Sequence, residues 1–254
     1  MTFFRSFAMC FSMYSRVPMP RVDWEKGGMK YVFCFFPLIG ALIGGLEIGW
    51  YFLAGLWGVH TVLYAAAAAL IPVLVTGGIH LDGYLDTCDA LFSYGDKEKK
   101  LEIMKDPRAG AFAVIYCGVY LLACFGMFAQ LFQNASLERV GLVAVGYLLS
   151  RCICGLCTVS VPCARSSGLA HMFQDGADKR RVRVALSLWG IGCIGVMAWL
   201  SLWNFILIAC MLALAVLLFI HTCKRQFEGI TGDLAGFILQ ISELLILGGA
   251  LFLI

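Results

Sequence analysis

Charge is scarce in this chain. Only 14% of its 254 residues are Asp, Glu, Lys or Arg, 61% are hydrophobic, and mean hydropathy is +0.87. A soluble domain carries about 25% charged residues, so a soluble fold is excluded and an integral membrane protein is indicated. Low-complexity segments, linkers and a clear internal repeat are also missing, which leaves one domain over residues 1–254. A cleavable signal peptide is not expected: MTFFRSFAMCFSMYSRVPMPR carries a charge at Arg5 and ends in a Pro-rich turn. It reads as an amphipathic segment lying on the membrane surface. The net charge of +3 gives no ground for nucleic-acid binding. The twelve cysteines make no disulfide framework, because most fall in apolar runs where Cys acts as a small hydrophobe. Cys152, Cys154 and Cys157 come near a metal-binding spacing, but on a helix they point to different faces, so zinc is not expected there.

What the chain has in quantity is long apolar runs. They divide into about seven stretches of about 20 residues, the length that crosses a bilayer, near 33–55, 59–79, 109–132, 139–161, 182–202, 203–221 and 234–254. The expected architecture is an all-α, polytopic membrane helix bundle. Lys and Arg gather before the first stretch, between the second and third (Lys97 to Arg108), between the fourth and fifth (Arg165 to Arg183), and at Lys224 and Arg225. The alternate loops near 56–60, 133–138 and 200–204 hold none. By the positive-inside rule the N-terminus is cytoplasmic and the C-terminus lies on the far side. Gly40, Gly44 and Gly45, and the run Ala65–Ala69, suit close helix packing.

Acid is concentrated in one place. Thr76–Gly110 holds Asp82, Asp86, Asp89, Asp96, Glu98, Glu102 and Asp106. Asp82, Asp86 and Asp89 stand at i, i+4 and i+7, one face of a helix, where like charges repel. Either cations sit between them or the segment is a solvated acidic loop. Mg²⁺ takes oxygen ligands and shares its sphere with substrate phosphates, so it is the metal these residues suit. Asp233, in GITGDLAG, is a further candidate ligand, or else a helix cap. His80 stands two residues before the cluster, as a base or as a hydrogen-bonded structural group. Gly77 and Gly78 should break the preceding span. Asp96 is placed to cap a short helix over 97–105, with Leu101 and Met104 toward the membrane. Asp106-Pro107 reads as the cap and first residue of the third span, which would set Arg108 and a helix N-terminus beside the acids. Arg151 lies inside the fourth span, where a cation is costly. It binds a ligand phosphate, or it pairs with Glu47 or Glu243. Arg165 taken alone is a membrane anchor. Together these residues point to phosphoryl-type transfer at the membrane surface.

The elements TGGIHLDGYLDTCDALFS and LEIMKDPRAG resemble the signature of the cobalamin synthases, the adenosylcobinamide-GDP ribazoletransferases. SRVPMPR, FFPLIGALIGG, Ser150-Arg151, ARSSGL and GITGDLAG follow in the order that family shows. The resemblance implies an Mg²⁺-dependent enzyme of the bacterial cytoplasmic (inner) membrane, with its active site toward the cytoplasm. It would join adenosylcobinamide-GDP to α-ribazole, or its 5′-phosphate, and release GMP. It implies Asp82, Asp86, Asp89 and Asp233 as metal ligands, and Asp89 and His80 as catalytic groups. Lys105, Arg108, Arg151, Arg165 and Thr231 would bind substrate, with Glu102 and Asp106 in the same motif as Lys105. Membrane lipid is the other partner, and a homo-oligomer is left open. The chain departs from the family pattern at Ala90 and Glu228, where Gly is common, at Pro107, where Ser is usual, and in the DLAGF stretch after Asp233. Two competing readings are a CDP-alcohol phosphotransferase, whose aspartate spacing the residues after Asp82-Gly83 do not match, and a secondary transporter using Arg151, Glu47 and Glu243 as a relay.

Overall fold

A computed structural model describes residues 2–20, 22, 26–134 and 136–252. Arg21 and the last two residues of the seventh expected span lie outside the described residues. The described chain is all-helical: α1 (Thr2–Tyr14), α2 (Lys26–Met29), α3 (Val32–Leu56), α4 (Thr61–Thr76), α5 (Ile79–Phe92), α6 (Lys97–Ile103), α7 (Ala111–Gln133), α8 (Leu137–Ser160), α9 (Leu169–Gly176), α10 (Lys179–Leu200), α11 (Leu202–Gln226) and α12 (Gly232–Leu251). Six of these are long and apolar enough to cross a membrane, and the pair α4 and α5 makes a seventh if counted as one broken span.

That pair corrects the expected span 59–79. Helix α4 stops at Thr76, and α5 leaves it at 97°. Two consecutive glycines make the corner, Gly77 at φ 66° and Gly78 at φ 82°, a conformation that side chains resist. Arg16 packs over the corner, its backbone N–H donating to Val75 O at 2.7 Å. A side chain at Gly77 would meet the Arg16 guanidinium. Helix α5 therefore runs across the N-terminal ends of α7 and α12 instead of continuing the crossing.

Helices α8 and α12 form the centre, burying 72% and 67% of their most apolar stretches, against 22% for α7, 22% for α10 and 17% for α11. The outer three turn Leu, Ile, Val and Trp side chains outward, as a lipid-facing surface requires. Helix α3 meets α8 at backbone distance. A Cβ on Gly40 would stand 2.7 Å from Leu148 N, and one on Gly44 would stand 3.0 Å from Ala144 Cα. Gly45 has open space around it, so only two of the three glycines in this span serve packing.

Helix α1 forms in the segment expected to be amphipathic, and part of it packs into the protein. It is amphipathic, with Phe3 and Phe4 exposed, but Ala8, Met9, Cys10 and Phe11 are buried in the protein. Ser6 Oγ donates to Gly28 O at 2.6 Å, and Phe7 meets Phe35 of α3 edge to face. The bundle covers the middle of α1 and leaves Phe3 and Phe4 exposed.

Candidate functional site

The site lies where the long connections meet at one end of the bundle. The segment after α8 and the segment before α12 pair as a short parallel bridge, Cys163 with Ile230. Ile230 N–H donates to Pro162 O at 2.8 Å and Ala164 N–H to Ile230 O at 3.0 Å. A side chain on Gly229 would strike this backbone. Arg165 then donates from Nη2 to Leu101 O of α6, and Lys100 donates to Gln226 Oε1 at 2.6 Å. The basic connections expected on one face do share one end of the molecule.

Helix α6 forms as expected, with Asp96 as its N-cap accepting from Lys99 N–H at 2.9 Å. Its apolar residues differ from expectation: Met104 is buried and Leu101 packs against the protein core, so neither faces lipid. The reading of Asp106-Pro107 as the start of the third span is also corrected. Helix α7 begins at Ala111 with Gly110 as N-cap. Asp106 instead accepts from Arg108 three times, from the backbone N–H at 3.0 Å, Nε at 2.9 Å and Nη2 at 2.8 Å. Those bonds hold its carboxyl low, at about 2. The local pair forms because Arg108 lies two residues on, within reach of an Asx-type turn. Lys105 and Arg108 are exposed and line an open hollow of about 600 Å³ with Lys99 and Glu102, apart from the aspartate cavity described next.

Asp82, Asp86 and Asp89 do share a face of α5, and α12 brings Asp233 to it. The approach is close because two glycines face each other across the helix crossing. A Cβ on Gly83 would be 2.8 Å from Asp233 Cα, and one on Gly236 would be 2.9 Å from His80 O. Gly83→Val is therefore expected to push α5 off α12 and cost about 1–3 kcal/mol, the usual penalty of overpacking. A lowered unfolding midpoint in detergent checks it, with Gly118→Val, a glycine in open space, as the unchanged control.

The carboxylates act on one another. Burial, then the charges of Asp82, Asp233 and Asp89 in that order, push Asp86 up to about 7. Asp82 and Asp233 line a cavity of about 310 Å³ together with His80. Asp89 does not line it. Its carboxylate lies against Gly110 and accepts a long, 3.4 Å hydrogen bond from Ala113 N–H, at the N-terminus of α7. Asp233 also lines a second cavity of about 200 Å³ with Arg165 and Thr231. Thr231 caps α12 by accepting from Leu234 N–H at 3.2 Å.

Arg151 is placed as a structural ion pair. It is fully buried, and its Nη1 donates to Glu243, to Tyr147 O at 3.1 Å and to Ser150 Oγ at 3.0 Å. Of the two acids weighed as partners, Glu243 is the one engaged, while Tyr147 donates to Glu47 at 3.4 Å. Arg151 lines neither cavity.

Among the described residues no three His, Cys, Asp or Glu side chains converge to enclose a metal ion by themselves. The donor set still fits a hard cation: carboxylate oxygens from two helices, repelling one another, with open coordination toward the cavities. Sequence reasoning missed Tyr14, Phe33, Phe36 and Phe173, which wall the larger cavity around His80. For Tyr14, Phe33 and Phe36 the signal was aromatic density near the N-terminus, and Phe173 had none.

Glu228 is the one described non-glycine residue at positive φ, 62°. Its carboxylate bonds Lys97 at 2.9 Å on the surface. Glu228→Gly is expected to change stability by less than about 1 kcal/mol, because relief of the left-handed strain offsets a weak surface ion pair. Glu228→Val should cost about 1–2 kcal/mol more. Denaturant midpoints of the two variants test this.

Comparison with known proteins agrees with the geometry. Residues 6–251 match the family described as cobalamin-5-phosphate synthase. A protein of Lachnoclostridium phytofermentans is 41% identical over 248 residues, 96% of this chain and 92% of that one. A protein of Clostridium perfringens is 32% identical over 242 residues, 95% of each chain. One of Pseudomonas savastanoi pv. phaseolicola is 35% identical over 240 residues, 93% of each. All three are named adenosylcobinamide-GDP ribazoletransferase. No solved structure matches the chain. The match spans both aspartate helices and the connections that join them, and the chain belongs to the cobalamin-5-phosphate synthase family.

Proposed function

We propose that this chain joins adenosylcobinamide-GDP to α-ribazole, or to its 5′-phosphate, with release of GMP, using Mg²⁺ at the cytoplasmic face of a bacterial inner membrane. The observation that carries this reading is the meeting of Asp82 and Asp233, from two helices, on the wall of one cavity, with Asp233 also lining the adjoining cavity beside Arg165. The names of the relatives supply the substrates, and the gathering of basic connections at that end supplies the side.

In the reaction the acceptor 5′-oxygen forms a bond to the cobinamide-bearing phosphorus. The bond from that phosphorus to the bridging oxygen breaks, and GMP leaves with that oxygen. Asp82 and Asp233 would hold Mg²⁺ together with water and substrate oxygens, and when bound it would neutralise diphosphate charge. Arg165, which lines the second cavity with Asp233, would hold phosphate oxygens. Asp82 or Asp233, the carboxylates on the cavity wall, takes the hydroxyl proton and passes it to solvent. Asp89 serves at one remove, anchoring α5 to the N-terminus of α7. Lys105 and Arg108, on the open hollow nearby, would meet only the outer parts of the nucleotide or corrinoid.

Detergent-purified protein given adenosylcobinamide-GDP, α-ribazole and Mg²⁺ is expected to form GMP and adenosylcobalamin in equal amounts. EDTA should stop both, and added Mg²⁺ should restore them. Absence of product from a folded, magnesium-replete sample would return the chain to the transporter reading.

A further inference from the structure

The surface between α10 and α11 holds a groove that the transfer chemistry does not touch. Its volume is about 700 Å³. Leu149 and Leu156 of α8 form the floor, Ser187 and Gly190 of α10 one wall, and Ala213 and Leu217 of α11 the other. Along α11 it runs from Phe205 to Leu217, about 18 Å of helix. Ser187 carries its one hydroxyl, and no charged side chain lines it among the described residues. The groove is open, since Ile191 and Leu217 on its walls are 65% and 67% exposed.

One end of the groove is basic. Helices α10 and α11 turn back on each other at Ser201, so the start of α10 lies at the same end as the last turns of α11. Arg183 stands four residues before Ser187 and seven before Gly190, on the groove-lining face of α10, with Lys179 one turn further out. Lys224 stands seven residues after Leu217, along that edge of α11. All three are exposed, and among the described residues no carboxylate pairs with any of them. Asp178, the acid beside Lys179 in the chain, caps α10 and pairs with Arg181 at 3.4 Å. A second apolar groove, of about 590 Å³ and lined by Leu188 and Trp189 on another face of α10, lacks this feature. The cation above it is Arg181, already engaged by Asp178 and the Tyr31 hydroxyl.

We propose that the groove between α10 and α11 binds an anionic phospholipid, with an acyl chain along the groove and the phosphate among Arg183, Lys179 and Lys224. Apolar walls in a membrane take hydrocarbon, and cations at helix ends reach the headgroup level, where anionic lipid attracts them. A helix about 10 Å across and 18 Å long would fill about 1,400 Å³, twice the volume of the groove, so a hydrocarbon chain fits where a helix of a second copy does not. The lipid would fill the gap between two outer helices that bury only 22% and 17% of their most apolar stretches.

Native mass spectrometry tests this on the full chain, stripped of lipid in detergent and then given phosphatidylglycerol or phosphatidylcholine with identical acyl chains. Wild type is expected to hold one phosphatidylglycerol at least about 10-fold more tightly than phosphatidylcholine. Arg183→Gln combined with Lys224→Gln, both on exposed residues, should abolish that preference. Gly190→Leu should weaken both lipids by filling the groove, because a Cβ at Gly190 meets nothing within 4 Å. Ala213→Phe, on the opposite wall, takes its place if that variant does not fold. Gly118→Leu, at an equally open glycine on α7, should change neither affinity. Equal retention of the two lipids by wild type overturns the proposal, as does a preference that survives in the charge variant. Unchanged phosphatidylglycerol binding in the groove-filling variants overturns it too. A wild-type dimer that Gly190→Leu converts to monomer would give the groove to a second copy, and would also overturn it.

Discussion

Asp82→Asn is expected to lower turnover at least about 100-fold while leaving the unfolding midpoint within about 0.5 kcal/mol of wild type. The substitution preserves shape and removes one charge from an exposed residue on the cavity wall. It also removes the largest single charge acting on Asp86, so the folded state loses repulsion and no packing. Stability and activity therefore part company, the pattern of residues kept for chemistry at a cost to the fold. In the mechanism proposed above, the same side chain is a metal ligand and a candidate proton acceptor, so added Mg²⁺ should recover only part of the loss. Turnover near wild type in Asp82→Asn at saturating Mg²⁺ would remove Asp82 from the machinery. Asp233→Asn should behave similarly, since that carboxylate borders both cavities.

Glu243→Ala should act on the fold instead. The Arg151 and Glu243 side chains are 1% and 6% exposed, at the centre of the bundle between α8 and α12. Deleting the acid leaves a guanidinium buried without a counter-charge, and removal of one partner from such a pair typically costs about 3–5 kcal/mol. The midpoint of SDS-induced unfolding in mixed micelles would show it. The double variant Arg151→Met, Glu243→Leu should recover most of that stability, because a buried pair replaced by apolar residues of similar size is often neutral. If the double variant binds and turns over substrate, Arg151 has no part in binding. If it is stable and inactive, the ion pair orients α12, and with it Asp233.

How much of this was legible in the sequence varies by element. The spans were, because about 20 consecutive apolar residues have few other uses. The predicted 33–55 and 139–161 differ from Val32–Leu56 and Leu137–Ser160 by no more than two residues at an end. The acidic helix face was legible for the same kind of reason, since i, i+4, i+7 spacing survives any tertiary context. Directions set by tertiary contact were not. Nothing local to Leu101 and Met104 says that Arg165, more than sixty residues later, closes over α6 and turns their side chains inward. Asp106 was misread because two local rules compete there, a helix cap before proline and a turn closed by Arg108, and the second wins. The choice of Glu243 over Glu47 depends on how α8 and α12 are rotated, which composition does not record. Gly77 and Gly78 announced a break, but not its 97° angle. The resemblance implied that Asp82 and Asp233 share a metal, whereas the residues alone left Asp233 as a ligand or a helix cap, because their meeting rests on one close crossing at Gly83 and Gly236.

That crossing also orders events in time. Helix α12, Gly232–Leu251, is the last described helix to leave the ribosome, and domains of a growing chain assemble from the N-terminal side. Until it arrives, α5 has no helix against Gly83, and Arg151 waits in the bilayer without its acid. A nascent chain stalled before residue 232 would therefore sit in the membrane with most of its spans inserted and no site assembled. Such an intermediate carries an uncompensated intramembrane arginine, a costly group until its partner arrives. Arrival of α12, burial of that charge and the meeting of Asp82 with Asp233 become one event.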